Sequence, residues 1–339
     1  MSKKNSSVQP LKNVLLNDKL IFQIYSDFKF FLKKNIKKKS FVVAVSGGPD
    51  SLALAALSQI YSCENKRKIF FVHIDHGIRK NSKKEANSVK RLLKKKKISL
   101  QILSNNKKIL KNIQSEARNV RYNLLVDYCK KKGIKYIFTA HHSDDQIETF
   151  LIRLSRGSGI QGLSSMSKIT KLRHNIKLVR PLLKLKKKDL KYVTKKVFNT
   201  FLTDPSNSNT KFLRTKIRNL ANQLEKSGIS RNQIIKSIDN LADTRDTLNV
   251  YLKKIVKSST LKKKNMASIN LDILNEESKE IKMKVISYVI QNLSKAYYPP
   301  RSKKVLNIVK SLKLKKIKLT LGNCILEKSG NNLIVKKVI

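Results

Sequence analysis

The sequence predicts an α/β fold in which a parallel sheet is covered by helices and followed by a helical region and a small strand-rich tail. Three observations carry that expectation. Between residues 41 and about 200, short apolar β-type runs alternate with helical segments of 12 to 20 residues. The first run, FVVAV (41–45), meets a turn of small residues, SGGPDS (46–51), and then an Ala/Leu-rich helix. From about residue 213 the alternation stops and helical spacing takes over.

Residues 11–37 read as an amphipathic helix on Leu15, Leu16, Leu20, Ile24, Phe28 and Phe31. Apolar strands are expected at 41–45, 69–74, 98–103 and 136–140. Residues 203–209, TDPSNSN, form a turn-rich connector. Ile234, Ile238, Leu241, Leu248 and Leu252 then repeat at helical spacing within a helical stretch over 213–296. After Tyr297-Tyr298-Pro299-Pro300, β-type runs at 317–321, 324–327 and 333–338 are separated by turns at Gly322-Asn323 and Gly330-Asn331. The expected organisation is an N-terminal helical extension (1–40), a catalytic domain (41–212), a helical domain (213–296) and a small segment completing it (297–339).

The 339 residues carry 75 Lys and Arg against 22 Asp and Glu, formally +53, with a pI near 10.3. Such a balance points to a polyanionic partner, nucleic acid above all. Only 14 of the basic residues are Arg, however, so biased base composition accounts equally well for many surface lysines, including the clusters at 94–97 and 184–188. No run approaches the roughly 18 apolar residues of a membrane span. The polar start, MSKKNSSVQP, lacks the apolar core of a signal peptide. Cys63, Cys129 and Cys324 are isolated, which fits a reducing cytoplasm and excludes a disulfide or zinc framework.

In parallel sheets ligands sit beyond the carboxyl ends of the strands, so the informative residues should follow each strand. SGGPDS has the form of an anion cradle. Gly47 and Gly48 let the backbone approach a phosphate, Ser46 and Ser51 offer hydroxyls, and Pro49 suits the first helical turn. The helix that follows presents unpaired N–H groups. The lysine of G-x-x-x-x-G-K-[ST] is missing, and an ordinary βα turn is the competing reading.

After the 136–140 strand comes HHSDDQIET (141–149). Ser143 with Gln146 predicts a capping box, which places Asp145 and Glu148 on one helix face. With His141 and His142 beside them, these carboxylates suit a cation, either Mg²⁺ or a substrate ammonium; partners for the helix dipole are the alternative. HIDHGIR (73–79) ends the second strand, and His73 there is either a site residue or a packed core residue. RGSGIQGL (156–163) supplies a glycine-rich turn.

Taken together, these blocks resemble the tRNA(Ile)-lysidine synthetase family of the N-type ATP-pyrophosphatase (PP-loop) superfamily. SGGPDS is similar to the superfamily loop. HIDHGIR, SEARNVRY (115–122), TAHHSDDQIETFL and RGSGIQGL are similar to this family's own blocks, in order and spacing. So are VRPLL (179–183), DPSN (204–207), YPPRSKK (298–304) and TLGNCI (320–325), and the resemblance covers about residues 40 to 339. It implies a five-stranded, Rossmann-like parallel sheet of PP-loop ATPase type. It implies ATP with Mg²⁺ and transfer of AMP to the first-anticodon cytidine of tRNA(Ile), the species with anticodon CAU. Free L-lysine then displaces AMP. By position, Ser46, Gly47, Gly48, Pro49, Asp50, Ser51 and His73 would bind ATP, and Asp145 and Glu148 would hold lysine. Asp50, His141, Asp145, Glu148, Arg214 and Arg218 would carry the catalysis, with no resident metal ligands assigned.

RTKIR (214–218) departs from the family's usual RNxxR, with Thr215 in place of Asn. TLGN replaces the common TLGG, and the chain stops where longer members carry a further C-terminal domain. A cytoplasmic monomer or homodimer is expected. The rival readings are a 2-thiolating tRNA enzyme of the same superfamily, which would call for paired cysteines, and a non-catalytic basic RNA-binding protein.

Overall fold

The computed structural model describes residues 13, 17–37, 39–78, 81–105, 113–202, 213–296 and 299–338. Leu15, Leu16, Arg79, the connector at 203–209 with its DPSN block, and Tyr297-Tyr298 lie outside the described residues. The chain divides into two compact units, Met1–Ala242 and Asp243–Ile339.

The first unit opens with helix α1 (Lys19–Asn35), capped by Asp18, whose carboxylate accepts from Ile21 N–H at 3.1 Å. Ile21, Ile24, Tyr25, Phe28 and Leu32 form its buried face. Strand β1 (Val42–Ala44) leads into α2 (Pro49–Glu64), then β2 (Phe70–Asp75), α3 (Ser82–Lys94), β3 (Leu100–Ser104), α4 (Ile113–Lys131) and β4 (Tyr136–Phe138). Helices α5 (Ser143–Leu154) and α6 (Ile160–Leu163) precede β5 (Ile169–Lys171) and β6 (Lys177–Val179); α7 (Lys187–Phe198) and α8 (Leu213–Lys226) follow.

The sheet order is β3-β2-β1-β4-β6-β5. Five strands are parallel, as expected, and β5 adds an antiparallel edge against β6. Strand β5 escapes the sequence pattern because half-exposed Ile169 and Thr170 with exposed Lys171 carry no apolar period.

The central pair is set by β-branched and aromatic packing. Val42 stands opposite Phe70 on one side and Ile137 on the other, and Phe41 stacks on Phe138 with ring centroids 3.9 Å apart. Helix α2 is apolar on most sides, and Leu52–Leu57 are fully buried. Thr194 of α7 donates to Pro49 O at 2.6 Å, fastening the first turn of α2. From β1 the chain winds outward through β2 and β3. From β4 it continues on the opposite side through β6. The loops after β1 and β4 therefore flank the topological switch point, where a ligand crevice opens.

Helix α9 (Arg231–Ser259) contains the division between the units. In the second unit, β7 (Thr260–Lys262), β8 (Met266–Asn270), α10 (Leu271–Asn275), α11 (Lys279–Ser294), α12 (Ser302–Ser311), β9 (Lys318–Leu321), β10 (Cys324–Ser329) and β11 (Asn332–Lys337) build an antiparallel sheet, ordered β7-β8-β11-β10-β9. The stretch read as wholly helical thus holds two strands. Ala267 and Ile269 alternate inward from β8, a period-2 signal only five residues long. Gly322 and Asn323, with φ of +61° and +57°, make the two-residue hairpin between β9 and β10. The core of this unit is Val285, Ile286, Val289, Ile290, Val305, Leu326, Leu333 and Val335. Among the described residues no helix is long and apolar enough to cross a membrane.

Candidate active site

The loop after β1 is organised from within. Ser51 Oγ accepts from Ser46 N–H and Gly47 N–H, each at 3.1 Å, contacts Ser46 Oγ at 3.1 Å, and donates to Gly48 O at 3.0 Å. The Ser51 hydroxyl is thereby committed to shaping the cradle. Gly47 adopts φ +92°, and a Cβ there would meet Val89 Cγ2 at 2.6 Å. Gly48 is the N-cap of α2 and Pro49 occupies the first helical position, so the helix N-terminus opens into the loop. His73 is buried, and its Nδ1 lies 2.9 Å from Val45 O, where it donates to the last turn before the loop. Burial pulls its pKa below the ordinary imidazole value, against the Val45 hydrogen bond. His73 therefore supports the loop from beneath as a neutral ring.

The second half of the site is the start of α5. His142 is its N-cap and donates its backbone N–H to Asp145 Oδ2 at 3.1 Å. The expected Ser143–Gln146 box is thus displaced by one residue. The Ser143 N–H that Gln146 was expected to satisfy donates to Leu185 O at 2.9 Å, and Gln146 bonds both backbone groups of Met166, at 2.7 and 2.9 Å. Arg153 Nη1 donates to Gly162 O and Ser165 O, folding the glycine-rich turn back on α5.

Four carboxylates and three guanidiniums converge here. Arg214 Nη2 donates to Asp145 Oδ1 at 2.7 Å, and its Nε donates to Glu148 Oε2 at 2.6 Å. Arg218 Nε donates to Glu148 Oε1 at 2.7 Å. Asp144 accepts from Arg231 Nη1 at 2.6 Å and from Lys187 N–H at 3.0 Å. Glu148 is only 3% exposed; burial alone would raise its pKa, but the Arg218 and Arg214 hydrogen bonds hold it below the usual carboxylate range.

His142, equally buried, lies 3.5 Å from Asp50 Oδ2, 3.4 Å from Asp145 Oδ2 and 3.6 Å from Asp144 Oδ2. Burial pulls its pKa down, but the Asp50 hydrogen bond and the charges of Asp145, Asp50 and Asp144 outweigh it and raise the value. Arg231 is shared with a further carboxylate, Glu225, which accepts from its Nε at 2.8 Å, so acidic groups outnumber the guanidiniums around His142 and favour its protonated form. His142 also joins the two halves of the site, since Asp50 belongs to α2 and Asp145 to α5. Its ring faces the carboxylates of both elements at once.

His141 turns the other way. Its Nδ1 is 2.9 Å from Thr139 Oγ1, and burial together with the cations Arg180, Arg118 and Arg214 drives its pKa well below the ordinary value. It is a neutral imidazole in a cationic setting. Arg180 is itself buried and donates from Nη1 to Ser167 O and Thr170 Oγ1. On the β2 side, Asp75 accepts from Gly77 N–H at 3.0 Å. His76 is pushed down to about 4, first by burial and then by the Arg121 charge. Arg121 has its own basicity lowered by burial.

The structure therefore gathers Asp50, Asp145, Glu148, Arg214 and Arg218 into one chain of contacts. His141 is electrostatically coupled to it through Arg214, and His73 is coupled to the phosphate loop through Val45. Sequence reading set His142 beside the carboxylates without a role of its own, and assigned none to Asp144 with Arg231, Arg121 or Arg180. The doubled His in HHSDD was the available signal for the first, whereas Arg231 lies 87 residues from Asp144 and nothing local links them.

A metal cluster is absent: no group of three or more His, Cys, Asp or Glu among the described residues has the geometry to hold one. Asp50 Oδ1, however, is buried without a hydrogen-bond partner, the condition of an oxygen available to an incoming cation.

Residues 22–224 match the PP-loop domain family. The chain is 32% identical over 299 residues to a tRNA(Ile)-lysidine synthase of Wolbachia pipientis wMel, covering 86% of this chain and 69% of that protein. It is 31% identical over 305 residues to the tRNA(Ile)-lysidine synthase of Orientia tsutsugamushi (strain Boryong), covering 86% and 68%. With that of Rhodopseudomonas palustris it shares 40% over 198 residues, covering 58% and 57%. Among solved structures, the U34-tRNA thiolase of Methanococcus maripaludis with its [4Fe-4S] cluster superposes with a TM-score of 0.56 at 18% identity, covering 66% of this chain and 80% of that one. That likeness is one of fold.

Proposed function

The chain belongs to the tRNA(Ile)-lysidine synthase family of PP-loop proteins, and from that premise we propose how its residues ligate lysine to tRNA(Ile) at the expense of ATP. The observation that carries the reading is the meeting of a phosphate loop and a carboxylate pair across the β1/β4 switch point, with His142 between them.

In the first step the O2 oxygen of the first-anticodon cytidine, in a CAU anticodon, attacks the α-phosphorus of ATP. The O–Pα bond forms, the bond to the β-phosphate oxygen breaks, and pyrophosphate departs. The unpaired backbone N–H groups at the α2 N-terminus, which Gly48 caps, would meet the charge that accumulates on the leaving group, while the Ser46 and Gly47 N–H groups hold the loop's shape through Ser51. A P-loop lysine is dispensable for this, because the leaving group can be held by fixed dipoles. Ser51 contributes by holding the loop closed. Mg²⁺ would neutralise phosphate charge, and Asp50 is the residue placed to offer it an oxygen; an ion carried in with ATP needs only one or two protein carboxylates. Neutral His141 hydrogen-bonds without adding charge as the cytidine reacts.

In the second step the ε-amine of lysine attacks C2. The ammonium first loses one proton to solvent to become nucleophilic; the C2–N bond forms, the C2–O bond breaks, AMP leaves with that oxygen, and the new C2–N group sheds one further proton to solvent and keeps one N–H. Asp145 and Glu148 hold the lysine, and Arg214 and Arg218 stand beside the adenylated intermediate. The site's main contribution to this step is orientation. A 2-thiolating reading finds no support in cysteine placement, since Cys63, Cys129 and Cys324 lie on α2, α4 and β10. A tRNA substrate suits work in the cytoplasm.

The test is multiple-turnover pyrophosphate release. It should require tRNA(Ile), ATP and lysine together, and should fail with a methionine tRNA. Sustained turnover without free lysine contradicts the proposal.

A further inference from the structure

Arg214 already sits where a substrate cation has to go. Its guanidinium spans the carboxylate pair, with Nη2 on Asp145 at 2.7 Å and Nε on Glu148 at 2.6 Å. Arg218 takes the second oxygen of Glu148, and the His142 N–H takes the second oxygen of Asp145. All four oxygens of the pair are thus engaged by donors of this chain. An ammonium group arriving at this arrangement finds every oxygen of the pair already carrying a donor, and it brings a third cation to two carboxylates already matched by two guanidiniums.

The donors are not equally fixed. The His142 N–H belongs to the helix cap. Arg218 is 33% exposed and, among the described residues, pairs with the buried Glu148, one helical turn further along α8. Arg214 is 46% exposed, lies in the first turn of α8, and is the donor that touches both carboxylates. Removing it frees one oxygen on each, facing each other, which is the arrangement an ammonium with several donors requires.

Resting on the reading that Asp145 and Glu148 hold lysine, we infer that Arg214 is the affinity-setting residue of the lysine site: it occupies the two carboxylates in the lysine-free enzyme and has to be displaced for lysine to bind. The apparent affinity for lysine is then the intrinsic affinity reduced by the fraction of molecules in which Arg214 has let go. Such competition also acts as a filter. A forked, charge-assisted pair yields only to a cation that makes enough contacts of its own, so simple monoamines and alkali ions fail to open the site.

Titrating L-lysine into the full-length chain without tRNA, by calorimetry or equilibrium dialysis, tests this. Arg214→Ala should bind lysine about tenfold more tightly than wild type, corresponding to a latch closed about ten times more often than open. Arg214→Lys, which keeps the charge but loses the fork, should fall between the two, and it carries the test by itself if the alanine variant does not fold. Unchanged or weaker binding in these variants overturns the inference and makes Arg214 a bystander or a lysine contact. Asp145→Asn separates the two levels. If that variant binds lysine as wild type does, the lysine reading of the site fails, whatever Arg214 does.

Discussion

At the scale of single residues, the phosphate loop depends on one backbone conformation. Gly47 holds φ +92° with Val89 and Leu202 packed over the place a side chain would fill. Gly47→Ala should therefore cost about 2 kcal/mol of stability from strain and overpacking together, read as a lower urea midpoint, and should weaken ATP binding. Gly48 has an ordinary extended φ of −74°, so Gly48→Ala should be much milder; equal effects from both would locate the constraint elsewhere. On the α5 side, Asp145→Asn removes the charge that Arg214 and His142 share. It should raise the apparent KM for lysine at least tenfold and leave ATP binding nearly intact, as initial-rate kinetics and nucleotide titration will show. Much at this scale was legible in the sequence. Small residues between a strand and a helix define a cradle by chemistry alone, and Asp145 with Glu148 share a face by helical period alone. What could not be read were partners far along the chain, such as Arg231 for Asp144 and Arg214 for Asp145, because a guanidinium 69 or 87 residues away leaves no local pattern.

At the scale of elements, the ends of β2 and β4 carry histidines held neutral by burial. His73, His76 and His141 all have lowered pKa values, with His76 down to about 4. The unfolded chain takes up protons at these rings near the ordinary value of 6.5, whereas the folded chain does not until far lower. The stability they permit is complete above about pH 6.5 and is lost as pH falls through each lowered value, which for His76 is about 4. Glu148 adds a loss at lower pH, because its depressed pKa keeps the Arg214 and Arg218 pairs intact until the carboxylate protonates. Urea midpoints measured between pH 7 and pH 4.5 should fall steadily, and His76→Gln should flatten part of that fall. Four of the five parallel strands were legible because each is a short apolar run ending in informative residues. Strand β5, with its Ile-Thr-Lys, and strand β7, with its Thr-Leu-Lys, were not, since three mixed residues pair through tertiary context. The N-cap of α5 was misread by one residue for a related reason. Ser143 N–H finds Leu185 O and Gln146 finds Met166, partners that no local pattern announces.

At the scale of the whole molecule, a formal charge of +53 is far more than one active site uses. If RNA phosphates are what it meets, affinity for tRNA(Ile) should fall about 10³-fold between 50 and 200 mM salt, the loss expected when about six or more phosphates are neutralised. A flat dependence would assign most of the 61 lysines to biased base composition. The change of pattern near residue 200 suggested a boundary at 212/213, whereas the two compact units divide inside α9, between Ala242 and Asp243, where a continuous helix carries no composition shift. The central claim is that the loop after β1 and the carboxylates of α5 work on one nucleoside. Incubating tRNA(Ile) with the chain, ATP and labelled lysine, then digesting the tRNA to nucleosides, tests that claim most directly. Conversion of the first-anticodon cytidine to a lysine-bearing nucleoside, one AMP and one pyrophosphate released per conversion, is the predicted result; an unmodified cytidine, or label elsewhere in the tRNA, contradicts it.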